Sequence, residues 1–379
     1  MTQNVYITKL SRFLPNAPVL NDEIEDFLGR VNNKNSRSKN IVLRNNGIKA
    51  RYYAMDKSGN STHSNAALTG EAIKKFFDSD FSAEDIQLLC CGTSSPDQLL
   101  PSHASMVQGI IGGGSYEVMS PAGSCNSGMQ ALKYGYMSIL SGITGNAVCA
   151  GSEKLSTWMH ARHFEGEAPL LEKLQKNPYL AFEKDFLRWM LSDGAAAAVL
   201  CDRANPKGRS LQINWIDISS YASEKESCMY AGAVQKNDGA LIPWRDLPVN
   251  QLFENSVFSL RQDTRVLEGN ITRLGTKSLL LSLKKHNLTI DDIDFFLPHM
   301  SSEFFRKKIA EDAAKSGNPI PEKKWFTNLT KFGNIGAASG LLMLEELFNE
   351  NALEPGMKIM LMVPESARFA YSFALFTVV

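Results

Sequence analysis

Residues 120–142 read SPAGSCNSGMQALKYGYMSILSG. Small residues and Gly123 lead into Cys125. In the run that follows, apolar or small side chains recur at helical spacing, and Gly142 supplies a stop. The pattern predicts a tight turn opening a helix, with Cys125 at the helix start. There the unpaired N–H groups and the positive end of the helix dipole are expected to lower the thiol pKa and favour the thiolate. Gly123 and Gly128 are expected to allow a sharp backbone and close approach by a substrate. Taken alone, the stretch equally fits a second reading, in which Cys125 is a small buried hydrophobe like most free cysteines.

Outward from this turn the same grammar repeats. Upstream, IQLLCCGTSS reads as a strand buried on both faces, which makes Cys90 and Cys91 core residues. The loop SPDQLLPSHAS, a helix to about Ile111, the glycine turn at Gly112–Gly114 and the strand YEVMS follow. Downstream, NAVCAGSEKLS runs from strand to turn, with Glu153 just beyond the strand end. A polar and aromatic insertion between Thr157 and Arg188 then leads to the strand in FLRWMLSDGAAAAVLCD, ending near Cys201. At the front, NVYIT predicts a strand and NDEIEDFLG a short helix. IVLRNNGIKARYYAM is irregular with a strand-like start, and Ser64 to Phe77 is helical by pattern. Alternating strands and helices imply βα units, whose chemistry gathers beyond the carboxyl ends of strands, and this places Cys125 and Glu153 together.

ANPKGRS, Ala204 to Ser210, marks the boundary between two domains, 1–205 and 206–379. The second opens with LQINWIDISSYAS and continues with a long helix around Asn270 to Lys285. IDDIDFFLPHMSS gives a strand running into Pro298 and His299. KFGNIGAASGLLMLEELF repeats the Cys125 pattern, a glycine-rich turn holding Asn334 and then an amphipathic helix, which suggests an ancient duplication. KIMLMVP and YSFALFTVV predict a closing strand pair.

With 379 residues, 44% of them hydrophobic and 21% charged, the chain has material for two domains of ordinary globular protein. A formal net charge of zero gives no support for a nucleic-acid partner. The first residues lack the apolar core of a signal peptide and no window is long enough to span a bilayer, so the expectation is a soluble, cytoplasmic protein with no membrane partner. Six cysteines without a C-x-x-C pair fit reduced thiols. His160 and His163 have i, i+3 spacing, yet no further cluster completes a metal site, and no metal is expected.

SCNSG, LPHMSS and GNIGAAS bring Cys125, His299 and Asn334 in an order that, with the opening VYITKLSRFLPNAPVLNDEI and the segment RNNGIKARYYA, resembles the β-ketoacyl-acyl-carrier-protein synthase III group of thiolase-like condensing enzymes. The resemblance covers essentially the whole chain. It implies an α/β thiolase-like fold of two similar halves in a five-layered αβαβα arrangement. It also implies a homodimer with the strand NAVCA set across the twofold axis, acyl thioesters on acyl carrier protein or coenzyme A as partners, and no cofactor. Cys125 would attack one acyl thioester and hold the acyl group. His299 and Asn334 would donate hydrogen bonds to the carbonyl of a second thioester as its enolate forms. Other relatives fit less well. A thiolase needs a second, late cysteine, and none follows Cys228; elongating synthases use two histidines, and the other late one, His286, lies in KKHN outside any family motif; chalcone-synthase-like enzymes carry a GPG loop that is missing here.

Three departures from the synthase III pattern stand out. Met300, Ser301 and Ser302 replace Gln-Ala-Asn after the histidine, Ser366, Ala367 and Arg368 replace a late triple glycine, and Glu153 stands where many synthases have aspartate. ESARF together with GSEK resembles the subgroup that condenses a β-ketoacyl thioester with a second acyl thioester and cyclises the product toward dialkylresorcinols or their cyclohexanedione precursors. Glu153 is then expected to reach the cavity and serve as a base in ring closure; the other reading has it capping its turn. Three alternatives stay open: a fatty-acid-initiating synthase with a malonyl extender, an acyltransferase making an ester or amide, and a binding protein that has lost its chemistry.

Overall fold

The computed structural model describes residues 4–36, 39–164, 187–236, 238–350 and 353–379, so most of the 157–188 insertion lies outside the described residues. Among the described residues, nine strands form one mixed sheet. In chain order they are β1 (Tyr6–Phe13), β2 (Leu88–Gly92), β3 (Glu117–Met119), β4 (Asn146–Glu153), β5 (Gly194–Cys201), β6 (Leu211–Ser220), β7 (Phe295–Pro298), β8 (Lys358–Glu365) and β9 (Ala370–Val378). Six helices cover it: α1 (Asn65–Lys74), α2 (His103–Ile111), α3 (Ser127–Leu140), α4 (Thr264–Lys285), α5 (Phe304–Lys315) and α6 (Ser339–Glu350).

The sheet order is β7-β8-β9-β6-β1-β5-β4-β2-β3, and it repeats itself. In the first half β2 runs parallel to β4, β4 antiparallel to β5 and β5 antiparallel to β1. In the second, β7 runs parallel to β8, β8 antiparallel to β9 and β9 antiparallel to β6. Where β3 flanks β2, the second half has a single parallel bridge from Phe296 to Trp325. Two residue pairs, Tyr6 with Gln212 and Ile7 with Leu211, join the halves into one sheet.

Alternation along the buried strands sorts three cores, because successive side chains point to opposite faces. In β4, Ala147 and Cys149 face one core, and Val148 and Ala150 another. In β8, Ile359, Leu361 and Val363 face that first core, and Met360 and Met362 a third. The shared core holds α3 and α6 and draws strands from both halves. The outer cores hold α1 with α2, and α4 with α5. Helix, half-sheet, buried helix pair, half-sheet, helix is the five-layered arrangement implied by the family resemblance.

Local signals placed most helix starts. Ser64 and Ser102 cap α1 and α2 by accepting the N–H of Ala67 and Ser105. Four readings need correction. IVLRNN is helical, within Lys39–Asn46, and of its side chains only Val42 and Asn46 are buried, so β-branched composition misled. The long helix begins at Thr264, ahead of its visible periodicity, because Asp263 accepts the N–H groups of Arg265 and Val266. Glu153 is the last residue of β4 rather than a residue beyond it. NAVCA, in β4, is paired on both edges, by β2 and β5, and covered on both faces, so it has no free edge or face to offer across a twofold axis.

Candidate active site

Both halves send their strand ends to one cavity of about 310 Å³, and Cys125, His299 and Asn334 all line it. Cys125 sits in the turn before α3, closed by Ser127 N–H and Oγ donating to the Ser124 carbonyl at 2.9 and 2.8 Å. His299 follows β7, and its N–H donates to the Met362 carbonyl of β8 at 2.8 Å. Asn334 lies in the turn before α6, held by its own N–H on the Met190 carbonyl and by Ser192 N–H on its carbonyl, both at 2.9 Å. Its side-chain Oδ1 accepts Gly336 N–H at 2.9 Å, which fixes the amide and commits Nδ2 as its donor.

Two glycines bring the two turns together, and a third seats the Cys125 turn against β2. A Cβ on Gly128 or Gly151 would lie 2.1 or 2.3 Å from the Ala337 carbonyl oxygen, and one on Gly92 would lie 2.1 Å from that of Ser127. Gly128 thus serves close approach by the other half's backbone, not by substrate as the sequence suggested.

A pair of carboxylates relates the halves. β4 and β8 hold equivalent places in the repeat, and each ends in a glutamate. Each glutamate reaches across to the other half's turn. Glu153 Oε1 accepts Ala337 N–H at 3.1 Å, and Glu365 Oε2 accepts Ser124 and Asn126 N–H, both at 3.1 Å, on either side of Cys125 in sequence. Glu153 is completely buried and also takes the Ser94 N–H and the hydroxyls of Ser94, Ser95 and Thr93. It does not line the cavity, whereas Glu365 does. The expectation that Glu153 reaches the cavity as a base is therefore corrected: its oxygens are occupied by the two loops that they hold together.

Electrostatics follow from these contacts. Burial pushes the Cys125 thiol up to about 12, and the Glu365 carboxylate adds to the rise. This reverses the expected depression. The N–H groups of Ser124 and Asn126, which would have favoured a thiolate, are taken by Glu365, whose charge then opposes one. Burial lowers His299 to about 4, so its imidazole is neutral near pH 7 and presents one N–H. Burial raises both Glu153 and Glu365, against the hydrogen bonds each accepts.

The remaining wall is largely apolar. Leu267 and Ile271 come from α4, Phe305 and Ile309 from α5, and Trp158 and Leu187 from the described ends of the 157–188 insertion. His160 accepts Arg162 N–H at 3.2 Å as a turn cap, and among the described residues no cluster of three or more His, Cys, Asp or Glu could hold a metal ion. No helix there is long and apolar enough to cross a membrane. Sequence reasoning missed Glu365, although an acid closing the apolar run KIMLMVP was open to the strand-end rule applied to Glu153.

Residues 283–364, which include His299 and Asn334, match the family model for the C-terminal part of 3-oxoacyl-[acyl-carrier-protein] synthase III. The β-ketoacyl-[acyl-carrier-protein] synthase III of Clostridium perfringens is 27% identical over 363 residues, 95% of each chain. Over nearly its whole length the chain is thus similar to the ketosynthase III family of condensing enzymes. Two solved structures share the ketosynthase fold: AbyA1, a tetronic acid condensing enzyme, with a TM-score of 0.77 and 20% identity over 98% of this chain and 99% of that one, and Xanthomonas campestris OleA, with a TM-score of 0.73 and 20% identity over the whole of both. The matched C-terminal segment stops one residue short of Glu365.

Proposed function

We propose that this protein joins two acyl thioesters, carried on acyl carrier protein or coenzyme A, by a Claisen-type condensation. Cys125 takes the first acyl group as a thioester, which splits a difficult condensation into two easier steps. The His299 imidazole N–H and the Asn334 Nδ2 then donate to the carbonyl oxygen of the second thioester, where charge gathers as its enolate forms. The enolate carbon attacks the Cys125 thioester, a carbon–carbon bond forms and the thiol is released. The observation that carries this reading is the single cavity holding a cysteine, a neutral histidine and an asparagine whose Oδ1 is already occupied.

The same proposal names a β-ketoacyl thioester as one partner and cyclisation toward a dialkylresorcinol precursor as the outcome. The apolar wall from α4 and α5 suits alkyl chains. The division at 205/206 belongs to it as well, since nucleophile and carbonyl-binding groups come from separate halves, as does assembly into a homodimer. The test is intact-protein mass spectrometry with a panel of acyl thioesters. One acyl adduct is expected, absent in Cys125→Ala. His299→Ala and Asn334→Ala are expected to load normally and to lose condensation by on the order of a hundredfold. An adduct that persists in Cys125→Ala, or product that is an ester or amide, overturns the reading.

A further inference from the structure

Resting on that reading, we propose that Glu365 is the base that generates the attacking carbanion, and that the second substrate is therefore an uncharged thioester with an activated C2–H rather than a malonyl thioester.

The placement of Glu365 carries the argument. It ends β8 at the cavity wall, and its Oε2 is pinned by the amides on both sides of Cys125. Oε1 has no protein partner among the described residues. The hairpin that follows is tied down: Gln262 Nε2 donates to Ser366 Oγ at 2.8 Å, and Cys228 N–H donates to the Ala367 carbonyl at 2.8 Å. The carboxylate is thus held in place with one oxygen free. In the equivalent position of the other half, the hydroxyls of Ser94 and Ser95 occupy the carboxylate of Glu153. By strand register the residues in their place beside Glu365 are Ser301 and Ser302, in the loop after β7. Neither makes a hydrogen bond to Glu365.

Charge selects the substrate. Glu365 is the single carboxylate among the described residues lining the cavity, and no lysine or arginine is among them. A malonyl group would bring a second negative charge into an apolar cavity with no cation to offset either one, which is strongly unfavourable. A malonyl extender also needs no base, because loss of carbon dioxide leaves the carbanion directly. A β-ketoacyl thioester is uncharged, and its C2–H, flanked by two carbonyls, is acidic enough for a carboxylate in an apolar site to remove.

The protons balance. In loading, the Cys125 thiol proton leaves with the departing carrier thiol. In condensation the C2 proton passes to Glu365, and the C2 electron pair forms the bond to the carbonyl carbon of the Cys125 thioester. That carbon–sulfur bond breaks, and the Cys125 thiolate takes the proton back from Glu365. Thiol and carboxylate are both regenerated.

Glu365→Gln tests the proposal, because the amide oxygen can still accept the Ser124 and Asn126 N–H groups. The expected result has three parts: an acyl adduct on Cys125 as in wild type, condensation of a β-ketoacyl thioester reduced by about a hundredfold or more, and loss of enzyme-dependent deuterium exchange at C2 of that thioester in heavy water. Product from a malonyl thioester is expected to rise relative to wild type. Condensation of the β-ketoacyl thioester within about twofold of wild type overturns the proposal, as does retained C2 exchange. Loss of the Cys125 adduct in the variant also overturns it, because the carboxylate would then be positioning the nucleophile turn only. If wild-type enzyme forms no adduct with any acyl thioester, the underlying reading itself fails.

Discussion

Glu153 and Glu365 end equivalent strands in the two halves and hold each other's turns, yet their surroundings differ. Around Glu153, hydroxyl and amide donors from residues 93–95 take up both oxygens, and the group is sealed. Around Glu365, which lines the cavity, two backbone amides take one oxygen and the other has no protein partner among the described residues. The same carboxylate in the same place in a repeated scaffold is a staple in one half and open to substrate in the other. Strand position delivers the acid to the site; the loop after the neighbouring strand decides what the acid can do there.

The sharpest way to break this comparison is to delete the sealed member. Glu153→Ala leaves Ser94, Ser95 and Ala337 donors buried without an acceptor, at roughly 1–3 kcal/mol for each unsatisfied group. Denaturant unfolding should show a loss of about 4 kcal/mol, whereas Glu365→Gln should lose less than about 1 kcal/mol by the same measurement. Equal losses would mean that both acids are structural. Gly128→Ala probes the contact that brings the turns together. A methyl group 2.1 Å from the Ala337 carbonyl oxygen forces the backbones apart, with an expected loss of about 2 kcal/mol and condensation falling more than loading, since the Asn334 turn moves away from Cys125.

A smaller effect sharpens the picture through pH. Burial raises Glu153 above its ordinary 4.5, so the folded protein holds a proton there that the unfolded chain releases. The resulting stability is fully present below about 4.5 and is lost as pH rises through the folded value. Glu153→Gln has no such proton. The stability gap between wild type and Glu153→Gln should therefore be widest below pH 4.5 and should narrow as pH rises, measured by denaturant midpoints at matched ionic strength. A gap that widens with rising pH would mean that the five donors outweigh burial.

Much of this fold was legible because the signals were local. The periodicity after Cys125, the caps Ser64 and Ser102 and the apolar runs LLCC and KIMLM each specify their element over a few residues. The groups that bring Cys125, His299 and Asn334 together were legible as motifs. What escaped depends on contacts across the chain. Ser124 and Glu365 are 241 positions apart, and nothing near Cys125 announces that a carboxylate will consume the amides on both sides of it. The direction of the thiol shift was read from the helix start alone and came out reversed for that reason. Glu153 was placed at the right strand end, but its saturation by Ser94 and Ser95 is a property of the assembled sheet.

The cavity draws its reactive groups and its wall from different layers. Cys125 packs with the shared core between the half-sheets, while Leu267, Ile271, Phe305 and Ile309 belong to the outer core under α4 and α5. A lineage drifting under selection for longer or shorter alkyl chains can trim or enlarge those four side chains without disturbing the backbone contacts that set the chemistry, so diversification of product and conservation of mechanism draw on separate stocks of variation.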